Sequence, residues 1–176
     1  CFLDESMTYS CGLYHSSRDS LAIAQENKYE AIINKARIKA DDHVLEIGCG
    51  TGKLLKAMAR KIESGFIEGV DFSKVMVSIA RKRNKKNITN GKVKIIEGNF
   101  DEMPYEKESF TKACSINTLY FWPEPVQTAK KIVKILKPYG KLILAFEDIK
   151  QLKQRRLNQE VFHFYSEDEV ENLLIN

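Results

Sequence analysis

The chain has 176 residues, enough for one domain with a single substantial core. Its 43% hydrophobic and 30% charged residues are those of an ordinary globular protein and exclude an intrinsically disordered one. A net charge of +4, from 28 basic and 24 acidic residues, is too mild for a dedicated nucleic-acid binder. The longest apolar stretches, such as Leu142 to Phe146, are too short to cross a bilayer, and no secretory signal pattern opens the chain.

In chain order, Ser20 is placed as the N-cap of a helix running to about Lys39. Its residues Tyr29, Ile32, Ile33 and Ala36 have the spacing of one buried face. The pattern then predicts strand 43–48, helix 52–63, strand 66–71, helix 73–84 and strand 92–97, followed by strand 111–116, helix 125–137 and strand 140–147. The runs HVLEIG, GFIEGV, KVKIIE and KLILAF are short, apolar and β-branched, as buried parallel strands tend to be. Strands separated by helices imply an α/β domain with right-handed crossovers, a mainly parallel sheet and helices on both faces. Pro138 and Gly140 punctuate the turn before the last strand, and Ser166 with Glu169 forms a capping-box pattern opening a final helix. There is no internal repeat or low-complexity linker, so residues 1–176 are read as one domain. It has an N-terminal segment and helix (1–40), a core (41–148) and a C-terminal helical segment (149–176). Cys1, Cys11, Cys49 and Cys114 form no CxxC pair and no metal-ligand spacing with histidines. They are read as reduced thiols of a cytoplasmic protein, with no metal site.

The chemistry-bearing run is VLEIGCGTG, Val44 to Gly52, where a strand becomes a helix. Gly48, Gly50 and Gly52 permit a tight turn and close approach of a ligand to the backbone. A dinucleotide fingerprint would place its third glycine at position 53, which is Lys53 here. The alternating G-x-G-x-G spacing, led by Glu46, instead resembles motif I of the class I S-adenosylmethionine-dependent methyltransferases. After the second strand, GVDFS carries Asp71, whose carboxylate suits a ribose diol, although Asp71 could also serve as a cap; Ser73 is the better placed N-cap. At the third strand end, EGNF offers Asn99, where the family often has Asp holding the adenine amino group. The amide oxygen of Asn99 can accept the same bond without charge assistance. Phe72 and Phe100 are candidates to border the adenine or, equally, plain core. After the fourth strand, Asn117 and Tyr120 are candidate positioning residues near the reacting groups, while Trp122, Pro123 and Pro125 close the loop. The run ILKPYGKLIL resembles the family's turn before strand five, often Pro-Gly-Gly. The resemblance covers roughly residues 40–148 and implies a Rossmann-like fold. It also implies S-adenosyl-L-methionine as cofactor, with Glu46, Gly48, Cys49, Gly50 and Gly52 around its methionine portion. The family continues through another helix into an antiparallel hairpin, which is expected to be missing from this sequence.

A second resemblance lies at the N-terminus. FLDESMTYSC, Phe2 to Cys11, is similar to the opening of the cyclopropane-fatty-acid and mycolic-acid synthases. It implies that Tyr9 and Ser10 touch the cofactor and that Cys11 helps hold a bicarbonate base. The chain departs from that family where NTLYFW replaces a Phe-Glu-His element and where Ala145 falls near its histidine. Those departures disfavour cyclopropanation. The expectation is direct methyl transfer to a small-molecule or lipid acceptor, with no catalytic base identified and no nucleic-acid partner. The alternatives are a lipid methylene transferase, a nicotinamide oxidoreductase (opposed by Lys53) and a non-catalytic cofactor-binding module. The run RKRNKK, Arg81 to Lys86, reads as a solvated helix end; Lys130, Lys131, Lys134 and Lys137 read as exposed helix positions. His15, His43 and His163 are isolated in sequence and read as surface residues, although His15 would reach the site if the N-terminal segment folds over it.

Overall fold

The computed structural model describes residues 12–147, 149 and 163–175. Tyr9, Ser10 and Cys11 lie outside the described residues, so their expected roles have no structural counterpart here. Helix α1 (Leu21–Ala36) starts where the sequence places it, with Ser20 Oγ accepting from the Ile23 N–H at 3.3 Å. It ends earlier than Lys39 because Arg37 turns left-handed (φ 52°). The Ile38 N–H then reaches back to the Ile33 carbonyl, which closes the last turn.

Five strands follow: β1 (His43–Ile47), β2 (Phe66–Asp71), β3 (Val93–Glu97), β4 (Phe110–Ile116) and β5 (Leu136–Ala145). Between them run α2 (Lys53–Met58), α3 (Lys74–Arg83), α4 (Lys85–Thr89) and α5 (Pro125–Ile135), and α6 (Glu167–Ile175) comes last. Every pairing is parallel, in the order β3-β2-β1-β4-β5. The chain winds outward from β1 to β3 and then crosses back to β4. The strand order therefore reverses beside β1, and open α/β sheets leave a ligand crevice at the carboxyl ends of the strands there. Helices cover both faces. On one, Ile32, Leu55, Met58 and Val77 pack against Val44, Ile67 and Ile95. On the other, Ile132, Ile135 and Val170 pack against Leu45, Val70 and Phe110. Among the described residues no helix is long and apolar enough to cross a membrane.

Other boundaries also differ from the sequence reading. Helix α2 stops at Met58 rather than at residue 63, because its end tightens: Arg60 and Lys61 donate to carbonyls three residues back. Helix α5 stops at Ile135 because Pro138 disfavours helical geometry in the residue before it, so β5 begins at Leu136 rather than at residue 140. Pro138, Tyr139 and Gly140 then bulge out of β5. Phe110 pairs with Leu136 and Lys112 with Lys141, and Tyr139 takes a left-handed φ of 63°. The basic run also holds more than a solvated helix end. Lys82, Lys85 and Lys86 are exposed, but Asn84 is buried between α3 and α4 and donates to the Gly52 carbonyl at 2.8 Å. Arg81 donates to Ile95 O at 2.9 Å and Arg83 to Thr51 O, tying the helix end to a strand and to the glycine loop. The capping box forms as expected. Ser166 N–H donates to Glu169 Oε2 at 2.7 Å, and Glu169 N–H donates to Ser166 Oγ at 3.2 Å.

Candidate functional site

A cavity of about 400 Å³ opens at the carboxyl ends of β1, β2 and β3, within the usual size range of small-molecule pockets. Gly48, Asp71, Phe72, Asn99 and Phe100 line it, so five residues singled out in the sequence come together. The loop from Gly48, which lines the cavity, to Gly52 turns through three left-handed glycines, with φ of 69°, 50° and 71°. Their reasons differ. A Cβ at Gly48 would lie 2.3 Å from Thr118 Cγ2, and one at Gly52 would lie 2.8 Å from Ala80 Cβ on α3. At Gly50 nothing stands within 4 Å, so that glycine alone leaves open space above the loop.

Asp71 ends β2 and is buried. Its carboxylate accepts from the Gly50 N–H at 2.7 Å and from the Ser73 N–H at 2.9 Å. It thus holds the glycine loop against the start of α3, where Ser73 is the N-cap that the sequence suggested. A carboxylate has about four acceptor directions, so two remain for a ligand diol. Phe72 is exposed at the rim, whereas Phe100 is buried in the core beside Tyr105 and presents one side to the cavity. Asn99 caps a short 3-10 turn, Phe100–Glu102. Its Oδ1 accepts from the Asp101 N–H at 3.1 Å, and its Nδ2 donates to Glu102.

Glu46 and Cys49 sit beneath the loop rather than on the cavity wall. Glu46 is buried and its Oε2 has no hydrogen-bond partner. Burial, reinforced by the nearby Asp71 charge, holds its carboxyl well above the usual carboxylate range against the backbone of Leu55, which favours the charged form. The Cys49 thiol is pushed up by burial and by the charges of Glu46 and Asp71. It packs against Gly69 as a small apolar group, and among the described residues Cys49 and Cys114 are free thiols. Asn117 is left-handed (φ 54°), and its side chain accepts from the Tyr120 hydroxyl at 3.4 Å. That hydroxyl shares its one proton with the Glu147 carbonyl and accepts from the Glu147 N–H, so buried Tyr120 pins the segment just after β5, and neither residue lines the cavity.

Met76, Thr118 and Thr128, which line the wall along with Trp122 and Pro123, carry no signal of their own in the sequence. Lys131, read above as an exposed helix position, is half-buried. Its ammonium is lowered in pKa by burial, a shift that Asp101 opposes and Lys134 assists, and it points at the turn after β3. The reason for the difference is that the carbonyls of that turn face α5 and take up the ammonium.

Comparison with known proteins agrees with this geometry. Residues 45–144 match a family model described as a methyltransferase domain. A demethylmenaquinone methyltransferase from Lactobacillus johnsonii is 28% identical over 131 residues, covering 73% of this chain and 54% of its own. Among solved structures, a geranyl diphosphate C-methyltransferase from Streptomyces coelicolor superposes with a TM-score of 0.80 at 15% identity, covering 97% of this chain and 72% of that one. The cyclase SpnF superposes at 0.81 with 20% identity, covering 97% and 64%. These two structures show the fold. The chain spans about half the length of the curated relatives it matches. With the glycine loop, the acidic strand end and the sheet order all within the matched segment, the chain belongs to the methyltransferase-domain family.

Proposed function

We propose that this chain is the cofactor-binding part of an S-adenosyl-L-methionine-dependent methyltransferase acting on a small-molecule or lipid acceptor. The carrying observation is that the start of the glycine loop, at Gly48, and the acidic strand end, at Asp71, converge on one crevice, with the unpartnered buried Oε2 of Glu46 beneath the loop. The residues fit the group. Gly50 leaves room above the loop, Asp71 retains acceptor capacity for a ribose diol, and the unpartnered Oε2 of Glu46 suits the ammonium of the methionine portion. Asn99 Oδ1, already accepting from Asp101, has a second lone pair for an adenine amino group, and Phe72 and Phe100 line the same cavity. When bound, the cofactor supplies an electrophilic methyl group carried on a sulfonium.

The protein's part is then alignment and exclusion of water. Orientation alone is worth up to about 7–11 kcal/mol in favourable cases, so no general base is required. Among the described residues, no side chain lining the cavity is a histidine, cysteine or lysine. The demethylmenaquinone and geranyl diphosphate substrates in the names of the matched proteins support an acceptor of lipid or small-molecule type. Two measurements test the reading. Titration calorimetry should show binding of S-adenosylhomocysteine and none of NAD. Mass spectrometry of cell extract incubated with isotopically labelled S-adenosylmethionine should show label in an organic acceptor. Binding of NAD in preference to S-adenosylhomocysteine would overturn the reading.

A further inference from the structure

One lysine on a helix across the cavity holds the turn that follows β3. Lys131, in the middle of α5, donates its ammonium protons to the carbonyl oxygens of Phe100 at 2.7 Å, Asp101 at 2.8 Å and Met103 at 2.6 Å. An ammonium has three donors, and all three are used. Nζ also lies 5.0 Å from the centroid of the Phe100 ring and 5.9 Å from that of Tyr105. One turn earlier on the same helix, buried Thr128 donates its hydroxyl to Asp101 Oδ1 at 2.8 Å. Asn99, Phe100, Asp101 and Thr128 all face the cavity. Water would satisfy the same carbonyls without tying them to anything. The lysine instead supplies charge-assisted bonds and couples the turn to a helix packed on the sheet through Ile132 and Ile135.

We propose that Lys131, with Thr128, is a positioning residue that fixes the base-reading wall of the cavity and so sets discrimination between a 6-amino and a 6-oxo purine. The proposal rests on the reading of the cavity as an S-adenosyl site. A polar edge is read only where donors and acceptors are held within about 0.5 Å of their productive geometry. A site built to pair one edge rejects the other because a buried polar group would be left unpaired. Once the turn is free to relax, Asn99 and its neighbouring backbone accommodate either edge.

The test is titration calorimetry of the parent, Lys131→Met, Lys131→Arg and Thr128→Val with S-adenosylhomocysteine and S-inosylhomocysteine. The parent should prefer the adenine compound. Lys131→Met should weaken S-adenosylhomocysteine by about ten- to a hundredfold. The inosine compound should weaken less, so that the preference narrows. Lys131→Arg should restore part of the preference, and Thr128→Val should show a smaller loss in the same direction. A general stabilising role would weaken both ligands alike and leave the preference unchanged; that result overturns the proposal. A parent without preference also overturns it. If Lys131→Met does not fold, an unchanged preference in Thr128→Val overturns it equally. If the parent binds neither compound, the cofactor reading falls and this proposal with it. If the parent binds and Lys131→Met matches it, only the role of Lys131 falls.

Discussion

A methyl group added at residue 48 and one added at residue 50 should have different consequences. Both positions are left-handed, which costs a non-glycine residue roughly 1–2 kcal/mol. At 48 the new atom also meets Thr118, whose hydroxyl is tied to Ser115, so something must move. At 50 it meets nothing. Gly50→Ala should therefore lose only the conformational term in thermal melting yet bind S-adenosylhomocysteine at least about tenfold more weakly, a change of about 1.4 kcal/mol. Gly48→Ala should lose more stability. Unchanged affinity in Gly50→Ala would place the cofactor elsewhere. Glu46 carries the complementary case. Its folded-state pKa is raised, so above the ordinary value of 4.5 the folded chain holds a proton that the unfolded chain has lost. Stability then falls as pH rises through that window and stays reduced above it. Glu46→Gln removes the titration. The ligand-free variant should melt like the parent in acid and progressively higher than the parent as pH rises. Its affinity for S-adenosylhomocysteine should fall, because the ammonium loses its carboxylate. Melting curves that stay parallel across pH would refute the assignment.

At the scale of elements, the turn from α5 into β5 keeps a strained residue. Tyr139 is fully exposed and left-handed, at a position where the family resemblance led one to expect glycine. Tyr139→Gly removes about 1–2 kcal/mol of strain and gives back about 0.5–1 kcal/mol through the freer unfolded chain. A net gain of about 0.5–1 kcal/mol should raise Tm by about 1–4 °C. Tyr139→Ala keeps the left-handed alanine strain and should gain nothing, so equal melting of the two variants would rule out backbone strain as the cause. This turn also marks where the sequence was legible. The strands from β1 to β4 lie within a residue or so of their predicted bounds, because apolar runs and turn residues are local signals. The same local signals placed Gly48, Asp71 and Asn99 at or just after strand ends, while the roles expected of them came from the family resemblance. The α4 turn, the bulge in β5 and the inward Asn84 depend on contacts from other parts of the chain. So does Lys131, whose partners lie 28 to 31 residues away in sequence, where helix periodicity carries no information about them.

Across the whole molecule, the two ends of the sheet carry different duties. The cavity occupies the carboxyl ends of the strands, while the amino ends of β1 and β4 are closed by a buried ion pair, Lys112 Nζ to Asp42 Oδ1 at 3.3 Å. Asp42 also accepts from the Thr111 hydroxyl at 2.7 Å and from the Lys39 N–H at 2.7 Å. Burial pushes its carboxyl up, but the bonds from Thr111 and Lys39, with the Lys112 charge, outweigh burial and leave it below its ordinary 3.8. The sign follows. The stabilisation is fully present above pH 3.8 and is lost as pH falls through the lower folded-state value. Asp42→Asn should cost about 3–5 kcal/mol at neutral pH, because it leaves the Lys112 ammonium buried without its counter-charge. The gap in Tm between variant and parent should narrow in acid, where the parent loses the same charge. Lys112→Met added to Asp42→Asn should recover part of the loss, since no unpaired ion then remains inside. S-adenosylhomocysteine affinity, measured well below the melting temperature, should match the parent throughout, because the pair and the cavity lie at opposite ends of the same parallel strands. An Asp42→Asn protein that melts like the parent, or that is fully folded yet binds the ligand more weakly, would break this division between a stabilising end and a binding end.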